Sequence, residues 1–228
     1  MALYYRFWSS KFIRGSSEGN IGTLVRVRSR KSSQEKKRCN VQVGLPKLLE
    51  VFSIYTALMY PPAPSPVDIL FVGWNPPGTQ HFWNCNTDRL RMDLAWVLSQ
   101  LGWNTQLDFL AEFNRRKCYF VHAVKCWPDR SWPPENVTKF CASTLLTNEI
   151  RGLHPKTLCL LGRIPHLAAC TVLDGLPPVS HVKYGKGWSG TVNQMQDIIT
   201  AFPNSYWNSA QKATNRECTV RALRRCLP

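Results

Sequence analysis

Short apolar runs rich in β-formers recur at about residues 68–74, 119–124, 157–161 and 198–202, each bounded by turn-forming residues. They are too short for helices, and their lack of alternation marks strands buried on both faces. Between them, apolar positions return at helical spacing. Leu90, Leu94, Val97, Leu98 and Leu101 line one face of a helix over Asp88–Leu101, with Gly102 as its stop. A long helix is expected over Pro134–Leu153, opened by two prolines and Glu135. A short helix follows over Arg163–Leu173, and a last one, with a basic outer face, over Ser209–Leu227. Ahead of the first strand, Leu45, Leu48, Leu49, Phe52, Ile54, Tyr55 and Leu58 suit a helix over Gly44–Tyr60, ended by the proline-rich run Pro61 to Pro66. The segment 179–196, rich in Gly, Tyr and Trp, reads as a hairpin or a long loop. Residues 1–40 hold no sustained period and are expected to form a disordered basic extension, with the folded domain over 41–228. Strands alternating with helices predict an α/β fold. The expected form is a three-layer α/β/α sandwich around a central, mainly parallel four-stranded sheet.

Composition narrows the partners. The 228 residues suit one α/β domain with extensions. No apolar run approaches the roughly 18 residues of a membrane span, so a soluble, non-membrane protein is expected. The formal charge of +15, from 29 Lys+Arg against 14 Asp+Glu, points to a polyanion, nucleic acid first. Residues 1–50 hold 11 of the cations and 3 of the acids, so the remainder is basic by itself. Acids are absent before Glu18, which suits a transit peptide as well as a basic arm. Nine cysteines cannot all pair, and Cys118, Cys159, Cys170 and Cys226 sit within apolar patterns where reduced thiols are common. A reducing, intracellular compartment is expected.

The run Ile69-Leu70-Phe71-Val72-Gly73-Trp74-Asn75-Pro76-Pro77-Gly78 is the most informative stretch. A buried strand ends abruptly in a proline-locked turn and leaves one amide, Asn75, at its carboxyl end. Ligands of open α/β sheets bind at that end. Pro76 removes a backbone donor and holds Asn75 in extended geometry, so its carboxamide has little entropy left to lose. A strand stop packed into a loop explains the turn equally well.

Gly73-Trp74-Asn75-Pro76-Pro77-Gly78 also resembles the first motif of the uracil-DNA glycosylase superfamily. It is closest to the Gly-x-Asn-Pro-Gly form of the mismatch-specific uracil/thymine and single-strand-selective branches, with one proline inserted. Four further pieces follow in the family's order, and the likeness covers about residues 66 to 227. His81-Phe82-Trp83-Asn84 stands where an aromatic stacks on the flipped base. His122-Ala123-Val124-Lys125-Cys126 resembles the strand that reads the base edge in the iron-sulfur branch. His154-Pro155-Lys156-Thr157-Leu158-Cys159-Leu160-Leu161-Gly162-Arg163 is similar to the family's Pro-Lys-x-hydrophobic-Leu-Gly strand. Ala201-Phe202-Pro203-Asn204-Ser205 stands at the second motif.

The resemblance implies a monofunctional DNA glycosylase. Such an enzyme flips uracil or a related damaged or mismatched base out of DNA and hydrolyses its N-glycosidic bond, opening base-excision repair. Asn75 and Ser205 are then the catalytic candidates. The amide, a poor base, orients the attacking water, and Ser205 with the amides opening the last helix holds a phosphate. Gly73, Trp74, Phe82, Trp83, Asn84 and His122 are the expected substrate contacts, with Phe82 the stacking ring and Trp83 its competitor. Asn204, Tyr206, Trp207 and Lys212 are expected on DNA, an aromatic filling the hole left by the base.

His122 replaces the iron-sulfur branch's asparagine, which leaves the preferred base open. Phe202 replaces the family's frequent histidine, which implies modest rates. Lys125 as a Schiff-base nucleophile is the less favoured alternative to a strand-end lysine. Cys126 and Cys141 are spaced like one cysteine pair of the iron-sulfur branch, but only Cys39 precedes the first strand. The ligand set is half complete, so no metal or other cofactor is expected, and an iron-sulfur form of the enzyme is the disfavoured alternative. The expected partner is DNA, the oligomeric state a monomer, and the place intracellular and DNA-associated. A non-catalytic nucleic-acid binder on the same fold is the alternative.

Overall fold

The computed structural model describes residues 25–26, 40–41, 60–75, 81–105, 108–125, 135–200 and 209–225. The chain divides into two compact units, Met1–Ile54 and Tyr55–Pro228. In the first, β1 (Val25–Arg26) pairs antiparallel with β2 (Asn40–Val41). The helix expected over Gly44–Tyr60 lies, apart from Tyr60, outside the described residues.

The second unit is built on a five-stranded sheet in the order β4-β3-β5-β7-β6. Strands β3 (Ile69–Gly73), β4 (Cys118–His122), β5 (Thr157–Leu161) and β7 (Met195–Thr200) are mutually parallel. Every residue of β3, β4 and β5 is buried, as the unbroken apolar runs require of strands covered on both faces. The fifth strand, β6 (Trp188–Val192), pairs antiparallel with β7 at the edge. It comes from the segment read as a hairpin or a long loop, and it raises the expected strand count from four to five. Its signal is weak because half-exposed Trp-Ser-Gly-Thr-Val makes no apolar run. Asn193 and Gln194 turn the chain with φ of 49° and 67°, the left-handed pair that matches the twist of a tight hairpin.

Helices cover both faces. On one side α1 (Arg89–Ser99) packs on α6 (Ser209–Arg224), α6 on β7, and α2 (Phe109–Arg115) on β4. On the other, α5 (Arg163–Ala169) packs on β5 and β3 and is itself met by α3 (Glu135–Cys141). The result is the α/β/α sandwich expected. Asp88 caps α1 by accepting the Arg91 amide at 2.9 Å, and Asp108 caps α2 through the Ala111 amide at 3.0 Å. Helix α2 has no counterpart among the sequence expectations, since two turns hold too few apolar positions to show a period. The long helix expected over Pro134–Leu153 is present, with one irregularity. Between α3 and α4 (Thr147–Leu153) lies a π-helical turn, Ala142–Leu146.

The strands end in register. Gly73 stands opposite His122, and Leu161 opposite Thr200, so the segments leaving β3, β4, β5 and β7 share one edge of the sheet. In an open α/β sheet that carboxyl edge is where a site forms.

Candidate active site

Pairing between β3 and β4 runs on past the strands. The Ala123 amide donates to the Gly73 carbonyl at 2.8 Å and the Val124 amide to the Trp74 carbonyl at 3.0 Å. Trp74 is thereby held beside Val124, and Asn75, half-buried like Trp74, follows it in the chain. Gly73 answers a packing demand. A Cβ there would lie 2.5 Å from Cζ of Phe120, so only glycine lets that ring pack against the strand end.

The expected stacking aromatics also turn inward. Phe82 is 1% exposed and lies on Phe120 with centroids 4.1 Å apart and planes at 19°. Phe109, Phe113 and Trp83 close around it. The indole of Trp83 donates to the Phe120 carbonyl at 3.1 Å. Rings of this size gain more from a dry apolar cluster than from an open cleft, and the loop after the first motif supplies one. Phe82 is therefore a core residue in this structure and offers no free face to a base. Asn84 is exposed and accepts the His81 amide at 2.9 Å, closing the turn that carries both rings. Asn204, Ser205, Tyr206 and Trp207, like Phe202, lie outside the described residues.

His122 stands at the centre of a buried polar cluster. The ring is 3% exposed, with its Nδ1 2.7 Å from the Tyr60 hydroxyl and its edge toward Phe120. The hydroxyl of Tyr60 also accepts the His122 main-chain N–H at 3.3 Å. Lys125 reaches back to donate to the His122 carbonyl at 2.7 Å and pairs with Glu149, on α4, at 2.5 Å. Burial holds the His122 pKa well below the ordinary imidazole value, aided by the Lys125 cation and by nearby His81. The ring is neutral at physiological pH. Burial, then the Glu149 charge, pushes the Tyr60 phenol well up, so it remains a donor. Burial likewise lowers Lys125 and raises Glu149, against the pull of their own ion pair.

Two members of this neighbourhood escaped the sequence reading. Tyr60 falls in a segment read only as a helix end. His81 was seen only as the flank of the aromatics, yet it is buried, and burial lowers its pKa too. Its Nδ1 accepts the Trp83 amide at a long 3.4 Å. Only tertiary structure brings these groups to His122.

A second polar cluster joins α1 to α6. Asp93, fully buried, takes Lys212 at 2.8 Å and also Arg216, whose guanidinium lies 5.2 Å from the Trp96 ring centroid. Lys212, expected on DNA, thus has part of its charge engaged inside the fold. Cys118 and Cys159 are buried and Cys170 is half-buried, whereas Cys141 is disulfide-bonded and Cys126 lies outside the described residues. Among the described residues no group of three or more His, Cys, Asp or Glu side chains is placed to hold a metal.

A family model, Uracil DNA glycosylase superfamily, matches residues 62–226, well over half of the chain and every described element from β3 to α6. No curated protein matches the chain.

Proposed function

We propose that this chain, which belongs to the uracil DNA glycosylase superfamily, is a monofunctional DNA glycosylase that extrudes uracil or a related damaged or mismatched base and hydrolyses its N-glycosidic bond. Family membership supports a DNA glycosylase-like enzyme. The observation that carries the finer reading is the placement of Asn75. The amide leaves β3 at the carboxyl edge, next to the end of the strand that bears neutral, buried His122.

In that geometry the Asn75 carboxamide orients a water toward C1′ of the extruded nucleoside. The water oxygen bonds to C1′ as the C1′–N bond breaks, the bonding pair leaves with the base, and the proton that the water sheds passes through solvent to the base nitrogen. An amide takes no proton, so turnover depends on positioning and on hydrogen bonds to the departing base. Neutral His122 is the proposed partner for the base edge. Ser205, with the amides that open α6, is proposed to hold a phosphate. Asn204, Tyr206, Trp207 and Lys212 are proposed to contact the flanking DNA. The proposed protein acts as a monomer, associates with DNA inside the cell, and needs neither metal nor cofactor. No described helix is long and apolar enough to cross a membrane.

The test is single-turnover incubation with oligonucleotides each carrying one lesion, paired and unpaired, followed by alkali. Strand scission only after alkali, lost in Asn75→Ala, supports the proposal; no base released from any lesion overturns it. One observation favours a second reading, a non-catalytic nucleic-acid binder. Phe82 and Trp83 lie in the core, which removes the expected stacking platform. Equal affinity for uracil-containing and normal DNA, with a steep salt dependence and no base release, would select that reading.

A further inference from the structure

We propose that Tyr60 is a positioning residue that sets base specificity: its hydroxyl fixes His122 as the tautomer with Nδ1 bare and Nε2 protonated, so the crevice accepts bases that present a carbonyl oxygen to this nitrogen and rejects those that present an amino group. The inference deepens the function proposed above and rests on its placing of His122 against the base.

Counting protons around the Tyr60 oxygen fixes the tautomer. A phenol has one proton to give. The oxygen of Tyr60 already accepts the His122 main-chain N–H at 3.3 Å, and it lies 2.7 Å from Nδ1 of the same residue. If Nδ1 carried hydrogen, two N–H groups would converge on one oxygen and the phenol proton would lose its acceptor. With Nδ1 bare, the hydroxyl accepts from the backbone and donates to the ring, so the main-chain N–H, the phenol proton and Nδ1 all have partners. Buried polar groups adopt the satisfied arrangement because an unmade bond has no water to replace it.

The phenol cannot escape by ionising, since burial and the Glu149 charge hold it protonated. Nor does the ring escape by taking a second proton. Lys125 is bonded to the His122 carbonyl, its ammonium lies 5.4 Å from the Tyr60 ring centroid, and it opposes a further cation as His81 does. Nε2 has no hydrogen-bond partner among the described residues, so it is the nitrogen left for a ligand.

An Nε2–H group is a donor and nothing else. Toward a 2- or 4-keto pyrimidine or a 6-oxopurine it meets an acceptor. Toward the exocyclic amine of cytosine or adenine it meets another donor, and one of the two goes unpaired in a closed site. Polar mismatches of this kind discriminate far more strongly than shape does.

The test uses the full chain and Tyr60→Phe, which removes only the hydroxyl. Nitrogen NMR of the wild-type imidazole is expected to show Nδ1 unprotonated and Nε2 protonated, and Tyr60→Phe a mixture. Oligonucleotides carrying 2′-fluoro-deoxyuridine or 2′-fluoro-deoxycytidine resist cleavage and read discrimination without turnover. The wild type is expected to prefer the former by at least about 100-fold, and Tyr60→Phe to lose about 10-fold of that preference while remaining folded. A wild-type Nδ1 that carries hydrogen, or an unchanged preference in Tyr60→Phe, overturns the proposal. The expected spectra and preference in a protein that releases no base would overturn the excision reading and uphold the role of Tyr60. Were His122→Ala to leave base preference intact, the placing of His122 against the base would fail, and the proposal with it.

Discussion

The cluster around His122 and the seam around Asp93 are both buried and polar, yet they do different work. Around His122, burial shifts Tyr60, His122 and His81 toward their uncharged forms, and the nearby Lys125 is paired with Glu149. Neutral hydrogen bonds hold less energy than ion pairs but fix where each donor and acceptor points. At the seam, one carboxylate gathers two cations from another helix and ties α1 to α6. The crevice is organised for direction and the seam for cohesion. A basic helix face therefore does not translate one-for-one into nucleic-acid contacts, because part of its charge is committed within the protein.

The comparison makes opposite predictions for activity and stability. In the crevice, Asn75→Ala should lower single-turnover base release by about 100-fold or more while the thermal midpoint barely moves. An equal loss of stability would place Asn75 among packing residues. At the seam, Asp93→Ala should cost about 2 kcal/mol in denaturant unfolding, since it strands two partly buried cations. Activity per folded molecule should be unchanged.

A smaller effect follows from protonation. In the unfolded chain His122 titrates near its ordinary value, whereas the folded ring resists the proton. The unfolded state binds more protons below about pH 6.5, so stability is full above that pH and falls as the pH drops below it. A loss of about 1–2 kcal/mol between pH 7 and pH 5 is expected. It should shrink in His122→Gln and persist in Asp93→Ala. Smallest is the salt dependence of DNA binding. Lys212→Ala should change the slope of log affinity against log salt by well under 1, while exposed Arg221→Ala should approach 1 if it meets a phosphate. Equal slopes would show that Asp93 leaves Lys212 free.

Much of the frame is legible in the chain because apolar runs announce strands buried on both sides. Thr157–Leu161 is read to the residue, and Asp88 is identifiable as the start of a helix. Strand β6 is hard to read because its residues alternate around partial exposure. In the site, Asn75 and His122 are visible as polar residues at the ends of apolar runs. Their surroundings are not. Tyr60 meets His122 across 62 positions and Glu149 meets Lys125 across 24, contacts that no local pattern encodes. Phe82 misleads for a related reason. The family resemblance implies a base-facing ring there, while the aromatics that enclose it, Phe109, Phe113 and Phe120, come from α2 and β4.

The wide turn at Ala142–Leu146 has a consequence for the lysine it never touches. Relative to regular winding, one extra residue per bulge swings everything downstream by about 100° around the axis. Thr147–Leu153 inherits that rotation, and with it the direction in which Glu149 leaves the helix. Shortening the bulge by one residue would aim the carboxylate elsewhere and leave a sequestered ammonium beneath His122 with no counter-ion. A local defect in helical winding thus governs the charge environment around Lys125 and His122.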